Sequence, residues 1–496
     1  MHKPVFFLAI DQGTSATKAL LFNDQGRMVD RSDVPLTQHY PHSGWVEHDP
    51  QEIYSSTVQA VQQLLRANQI GPESLRSMSL SNQRETVMLW DALSGEPVMH
   101  AIVWQCQRAE SLVARLEGKG VAESIQQKTG LRLSPYFSAA KAAWIMENMD
   151  SARNLKEQKR LRFGTVDSYL IWRLTGGKVH ATDYSNASRT QLFNIHTLQW
   201  DEQLLELFLL DSSMMPEVRD SNAIFGIIDR AIFGHELPIA GVLGDSHAAF
   251  FAQSCTERGM AKATYGTGSS IMMHVGSRPV KQVHQVVSSI GYAINGIVTY
   301  VLEGNINCTG ATIKWLVDDL ELISSSCEAG QISATVDDTL GVYLVPAFVG
   351  LGAPHWNSTA RAVISGISRG TKKAHIVRAA EESIAYQITD VVRAMEAESG
   401  ITLRELRVDG GPVRDVFLMQ FQSDLLAVPV ITSDIEELSA AGAMFMGALA
   451  LGHCTSMEEI QSLRIEGTRY LPKQLEEWRD RFYAGWKQAV ETVLLQ

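Results

Sequence analysis

Cysteine is scarce in this chain of 496 residues: five, at Cys106, Cys255, Cys308, Cys327 and Cys454, with no CxxC pair among them. An odd, scattered set excludes a disulfide framework and a Cys-type structural zinc site, and it fits reduced thiols in the cytoplasm. No stretch approaches the roughly 18 apolar residues of a membrane span. The apolar run at Val5–Ile10 meets Asp11 too early to read as a signal peptide. Positive charge is also short. With 43 Lys and Arg against 55 Asp and Glu the net charge is −12, which argues against nucleic acid, because phosphate backbones select basic surfaces. No GxxxxGK[ST] occurs, so a nucleotide phosphate has to be held by something other than a Walker A loop.

What is present is ordinary globular composition, with 45% hydrophobic and 20% charged residues. The length asks for two domains. Val5–Ile10 and Lys18–Phe22 read as strands about a turn at Asp11–Ser15, and Arg27–Val29 continues a meander. A helix is expected from Pro50 to about Ala67, capped by Asp49, with Glu52 where a capping-box acid sits. Strands and helices then interleave, so the class is α/β. Near residue 259 the opening recurs, with strands at Gly259–Tyr265 and Ser270–Val275 about Gly266-Thr267-Gly268-Ser269. That repeat suggests two related halves, 1–252 and 253–496, joined by a short hinge near 250–258. The last stretch, Gly467–Gln496, reads as a polar-faced surface helix.

Five places carry candidate chemistry. In Asp11-Gln12-Gly13-Thr14-Ser15-Ala16-Thr17-Lys18 a glycine turn exposes backbone N–H groups, and Thr14, Ser15 and Lys18 add donors for phosphate. Asp11 there can hold Mg²⁺, directly or through water; a plain β-turn is the alternative. The turn at Thr267 occupies the matching place in the second half, and two such loops suggest a polyphosphate gripped from both sides of a cleft. Asp409-Gly410-Gly411 joins a strand to a helix and lets a ligand approach closely. Asp245 ends an apolar strand and is either a general base at a cleft mouth or the cap of the next helix. Arg84 and Glu85 set donors beside an acceptor, which suits adjacent hydroxyls, and Trp104 can wall a carbon chain. A surface ion pair and a core tryptophan are the plainer readings. His39 and His42 lack the acidic or thiol partners of a metal site.

As a set the residues resemble the FGGY carbohydrate kinases, nearest to their glycerol-phosphorylating branch. The likeness is carried by Gly44–Pro50, Ser81–Thr86, Ala101–Cys106, Pro135–Ser138, Asn186–Thr190, Val345–Pro354 and Leu406–Gly411, and it runs from about residue 5 to about residue 490. The resemblance implies two actin-like (ribonuclease-H-like) domains flanking a catalytic cleft, with the polyol mainly on the first and MgATP mainly on the second. It implies Asp245 as general base in the phosphorylation of glycerol to glycerol 3-phosphate. Arg84, Glu85, Trp104 and Tyr136 would line the polyol pocket. Thr14 would meet the transferred phosphate, with Asp11 near the metal, and Thr267, Gly310 and Gly411 would contact the nucleotide. A homo-oligomer, dimer or tetramer, is implied on the same ground.

The chain departs from that branch in specific places. Lys18 stands for the usual arginine, keeping the charge but losing the planar fork. Ser246 and Ser270 replace a glutamine and a phenylalanine beside the polyol, which makes the pocket roomier and more polar and admits a longer polyol such as a tetritol. Gln107 replaces an arginine. On the nucleotide side Lys314 and Asp415 replace glutamine and asparagine. Ala231–Leu237 lacks the Gly-Gly…Arg loop that binds a sugar bisphosphate in some bacterial relatives, so that regulation is not expected. The rivals are a kinase for another polyol or sugar, an actin-like binding protein without catalysis, and a bare ATPase. Retention of Asp11, Thr14, Arg84, Glu85 and Asp245 together speaks against the binding protein, and the polyol-pocket constellation speaks against the bare ATPase.

Overall fold

A computed structural model of the protein describes residues 5–464 and 466–495. Strand β1 (Phe6–Gln12) is apolar on both faces, as a strand covered from both sides must be. It pairs antiparallel with β2 (Ala16–Asn23), and β2 with β3 (Met28–Pro35). Helix α1 (Pro50–Ala67) begins as its cap predicts, with Asp49 Oδ1 accepting from Gln51 N at 2.8 Å. Glu52 does not complete a capping box; it accepts from the backbone N–H and hydroxyl of Thr37 instead. Strand β4 (Leu75–Asn82) runs parallel to β1. After α2 (Val166–Leu174), strands β5 (Ile224–Ile228) and β6 (Leu237–Gly244) complete a sheet ordered β5-β6-β4-β1-β2-β3. Helix α3 (Asp245–Ala252) leaves the end of β6.

The second half repeats the core of this plan with one strand more. Its hairpin is β7 (Met260–Tyr265) and β8 (Ser269–Gly276), followed by β9 (Val287–Ile294), β10 (Ile297–Ile306) and helix α4 (Gly310–Asp318). The long α5 (Lys373–Ser399), β11 (Glu405–Gly410), α6 (Val416–Leu426), β12 (Val430–Ser433), α7 (Leu438–Ala450), β13 (Glu466–Tyr470) and α8 (Glu476–Leu494) follow. In the order β13-β12-β11-β7-β8-β10-β9 the first six strands match the first sheet place for place and pair in the same sense, while β9 is an added edge strand and β13 follows β12 in the chain where β5 precedes β6. The weak sequence repeat at the two hairpins is therefore the visible part of a duplicated fold.

Helices α3 and α7 hold equivalent places in the two halves and pack together between the sheets. Phe7, Ala9, Phe22 and Leu243 of the first sheet share one core with Met272, Tyr292 and Val301 of the second, and residues of α3 and α7 fill it. The opposite face of the first sheet, with Leu8, Ile10 and Leu21, is covered by α1 and α2. The far face of the second is covered by α5, α6 and α8. The central helices touch backbone to backbone, since a Cβ on Gly442 would overlap the carbonyl of Ala248. A Cβ on Gly447 would likewise meet Ser79 Oγ and the Ala240 carbonyl, beside Gly241, whose φ is +81°.

Several expectations shift. The segment Glu466–Tyr470 is an edge strand, not helix; only Glu476–Leu494 is helical, and its Phe482, Trp486 and Val493 are buried. The expected hinge at 250–258 begins inside α3 and continues through buried Gln253, Ser254 and Cys255. The carbonyls of Gln253 and Ser254 accept from Arg407, so this passage is tied down. All five cysteines are free, with Cys327 exposed and the others buried. Among the described residues no helix is long and apolar enough to cross a membrane.

Candidate active site

Strand β6 carries the chain to the cleft and stops at Gly244, whose N–H donates to Ser185 Oγ at 2.9 Å. A Cβ on Gly244 would press into the Arg84 side chain, so glycine is what lets that arginine lie across the strand end. Gly244 itself is the cap residue of α3. Asp245 therefore does not cap from outside the helix. It is the first helical residue, its side chain 39% exposed towards a cavity of about 1680 Å³ between the two halves. Its Oδ1 accepts from Ser246 N at 2.6 Å and lies 3.0 Å from Arg84 Nε, an ion pair whose N–H is off line.

One end of the cavity is built for hydroxyls. Arg84 and Glu85 follow β4 in a turn that puts Glu85 at φ +61°, an unusual conformation for a residue with a side chain. The Ser138 hydroxyl holds that turn by donating to the Glu85 carbonyl at 3.0 Å. Arg84 Nη2 donates to Ser246 Oγ at 3.2 Å, and Ser270 Oγ is buried beside the cavity without a partner. Trp104 and Tyr136 meet edge to face, with centroids 5.6 Å apart, and form an aromatic wall. The Trp104 indole donates to Thr14 Oγ1 at 3.0 Å, which joins this wall to the first turn.

Under Tyr136 lies a fully buried lysine. Lys141 Nζ donates to the carbonyls of Tyr136 and Phe137. Burial pushes its pKa down to about 7, against the pull of Glu85. Above about pH 7 the native side chain is then neutral, while an unfolded lysine stays protonated to about 10.4. The unfolded state binds more protons in that window, so this residue makes stability rise with pH, by up to about 1.4 kcal/mol per unit. Lys141→Met should flatten that slope in urea midpoints taken between about pH 7 and 9. A slope equal to wild type would refute the burial argument.

The other end gathers phosphate-type donors and carboxylates. Asp11, at the end of β1, accepts from Ser81 Oγ at 3.1 Å. Burial, and then the nearby charge of Asp245, push its pKa up to about 7. Lys18 is not free, because its Nζ pairs with Glu437 Oε2 at 2.8 Å, and Arg31 reaches the same carboxylate at 2.6 Å. In the second half, the Gly266–Gly268 turn is clamped by Gly310 N donating to Gly266 O and Ala311 N to Thr267 O, at 2.9 and 3.1 Å. Thr267 is left exposed to the cavity, and Gly411 lines it too.

Twelve expected residues thus line one cavity: Asp11, Thr14, Lys18, Arg84, Glu85, Trp104, Tyr136, Asp245, Ser246, Thr267, Ser270 and Gly411. Ser15, Gly310, Lys314 and Asp415 fall outside that lining. Ser15 is exposed and gives its carbonyl to Leu36 N. Gly310 is the close-approach residue at the clamped turn. Lys314 projects outward, 75% exposed, towards Asp318. Asp415 caps α6 by accepting from Leu418 N at 3.1 Å. The structure adds residues given no role above. Glu303 and Arg189 are buried beside Arg84 and Glu85. Lys262 is a buried lysine that lines the cavity and donates to Thr264 Oγ1 at 2.9 Å; burial lowers its pKa, against the pull of Asp409. A charged residue inside an otherwise apolar strand was the only sequence signal for Glu303 and Lys262.

Comparison with known proteins is consistent along the whole chain. Residues 6–252 match the N-terminal domain of the FGGY family of carbohydrate kinases, and residues 261–451 match its C-terminal domain. A glycerol kinase of Petrotoga mobilis is 48% identical over 486 residues, 98% of each chain. Glycerol kinase 1 of Thermotoga maritima is 46% identical over 492 residues, 99% of this chain and 100% of its own. Among solved structures, Plasmodium falciparum glycerol kinase with ADP superposes with a TM-score of 0.95 at 33% identity, covering 99% of both chains. A gluconate kinase of Lactobacillus acidophilus shares the fold at 20% identity, with a TM-score of 0.89.

Proposed function

The chain belongs to the FGGY family of carbohydrate kinases, and from that premise we propose that it phosphorylates glycerol to glycerol 3-phosphate with MgATP. The observation that carries this reading is one cavity in which Asp245, the Arg84–Glu85 pair and both hairpin turns meet. Asp245 takes the proton of the attacking hydroxyl. Arg84 and Glu85 orient the polyol by its hydroxyls, against the wall of Trp104 and Tyr136. Residues 1–252 serve as the polyol domain and 253–496 as the nucleotide domain.

Thr14, Thr267 and Gly411, with Ser15 and Lys18 beside the first turn, hold the phosphates. Lys18 exchanges Glu437 for them as the nucleotide arrives. Gly310, Lys314 and Asp415 flank that region on α4 and the start of α6, and contact the rest of the nucleotide. Two neighbouring carboxylates, with Asp11 already raised to about 7 by burial and by Asp245, fit a divalent cation held by Asp11, directly or through water. When bound, Mg²⁺ neutralises phosphate oxygens.

The five free cysteines support a reducing, cytoplasmic setting. A homo-oligomer, dimer or tetramer, belongs to the same proposal. It draws support from exposed Ile224 and Ile227 on the edge strand β5, which offer an unpaired apolar rim.

A second reading, a longer polyol such as a tetritol, is favoured by one observation: the unpartnered hydroxyl of Ser270, which lines the same cavity as Ser246. ADP release with MgATP is measured against glycerol, erythritol, threitol, ribitol, xylulose and gluconate. Glycerol is expected to give the highest kcat/KM by about tenfold or more, a margin of roughly 1.4 kcal/mol. A tetritol in first place would transfer the assignment to the second reading. ATP turnover independent of any polyol would overturn both.

A further inference from the structure

The polyol pair does not stand on the first half of the chain alone. Glu303 lies on β10 in the second sheet, opposite Met272 and Val287, and it is completely buried. A buried glutamate in the middle of a sheet is costly unless it is paired and hydrogen-bonded. Here both charged partners come from the first half, and Asn305 Nδ2 of its own strand donates to Oε1 at 3.5 Å. Arg84 meets Glu303 end-on, Nη1 to Oε2 at 2.9 Å and Nη2 to Oε1 at 3.1 Å. Arg189 Nη1 lies 3.0 Å from Oε2 of the same carboxylate. Arg189 in turn donates from Nε to Glu85 Oε1 at 2.6 Å. Two guanidiniums and two glutamates thus form a buried chain, Arg84–Glu303–Arg189–Glu85, whose two ends are the residues assigned to the polyol. Asn305, two residues on along the same face of β10, lines the cavity.

This geometry sets the direction of Arg84. With both Nη atoms turned onto Glu303, Nε is left towards Asp245, and the second hydrogen of Nη2 towards Ser246 and the cavity. Glu85 is aimed by the same chain from its other end, while its φ of +61° keeps it out of ordinary backbone geometry. Burial alone would raise the Glu303 carboxyl, but Arg189 and Arg84 hold it well below the usual carboxylate range, so it stays charged.

We propose that Glu303 is a positioning residue for the polyol, supplied by the nucleotide half, which aims Arg84 directly and Glu85 through Arg189. The polyol site is then complete only when the two halves are docked. A carboxylate from one half fixes the donors that read the substrate in the other. The inference rests on the assignment of Arg84 and Glu85 to the polyol.

The test is steady-state kinetics of Glu303→Gln and Glu303→Asp, with polyol binding to the nucleotide-free protein measured by calorimetry. Glutamine keeps the volume but removes the charge that two guanidiniums share. In Glu303→Gln the polyol KM and Kd should rise by about tenfold or more, with the KM for MgATP held within about twofold. Glu303→Asp keeps the charge, but on an arm too short to hold both guanidiniums, so its polyol KM should rise by about threefold, less than in Glu303→Gln. An unchanged polyol KM, or polyol and nucleotide constants rising in parallel, would overturn the proposal, since the second pattern is a general structural loss. If Glu303→Gln does not fold, Glu303→Asp decides alone: a rise confined to the polyol supports the role, and no rise, or a parallel one, removes it. A wild-type chain without polyol-stimulated ADP release would instead defeat the kinase reading, before any variant is made.

Discussion

Asp245→Asn should lower kcat by about a thousandfold, while ADP and MgATP bind as in wild type. Asparagine has the same shape, and its Oδ1 can still accept from Ser246 N, the 2.6 Å contact that fixes the side chain at the start of α3. What it loses is the capacity to accept a proton, together with the negative charge 3.0 Å from Arg84 Nε. The two losses have different signatures. A missing base slows the chemical step and shows in kcat. A missing partner for Arg84 loosens the polyol and shows in KM. Since Glu303 already holds both Nη atoms of that arginine, the KM effect should be the smaller. Initial rates over a range of polyol concentrations, with calorimetric titration of ADP, separate them. A near-normal kcat with a raised polyol KM would reduce Asp245 to a holder of Arg84.

Gly442→Ala should destabilise the protein, although alanine is the better helix former by about 1 kcal/mol. Gly442 lies inside α7, where its missing Cβ admits the Ala248 carbonyl of α3. The obstacle is backbone on a packed helix, so no side chain can swing aside. Pressing a methyl group into such a contact costs about 1–3 kcal/mol, and separating the helices also opens the core they share with both sheets. The overlap outweighs the propensity gain, and a fall in Tm of a few degrees is expected, at roughly 2–4 °C per kcal/mol for large domains. Because α3 starts at Asp245, kcat should fall with stability. Thermal unfolding and turnover of the same preparation check both, and an unchanged or higher Tm would refute the close-packing argument.

Local chemistry wrote much of this fold legibly. Asp49 and Pro50 mark the start of α1, and the two hairpin turns announce the duplication. Asp245 reads as a cleft carboxylate because an apolar strand ends there. What sequence could not reveal depends on pairing across great separations. Glu303 meets Arg84 over 219 positions and Glu437 meets Lys18 over 419, so neither pair leaves a local trace. Lys18 reads as a phosphate donor from its place beside the first turn, and its carboxylate partner leaves no local sign. The strand Glu466–Tyr470 escaped notice because it is a short, mostly exposed edge strand, with too little apolar alternation to set it apart from the helix that follows.

The place of α7 has a consequence for how the protein is made. The first sheet is complete in sequence by Gly244, yet part of the helical layer over its inner face lies at 438–450. At about 5–20 residues per second, the ribosome needs on the order of ten seconds or more to reach that segment. Until then Phe7, Ala9 and Leu243 lack their final cover. The growing chain is therefore a natural client for a chaperone that shields apolar sheet, and a fragment ending near residue 252 should aggregate rather than fold. The two halves look separable along the sequence, but they mature as one unit, in the last moments of synthesis.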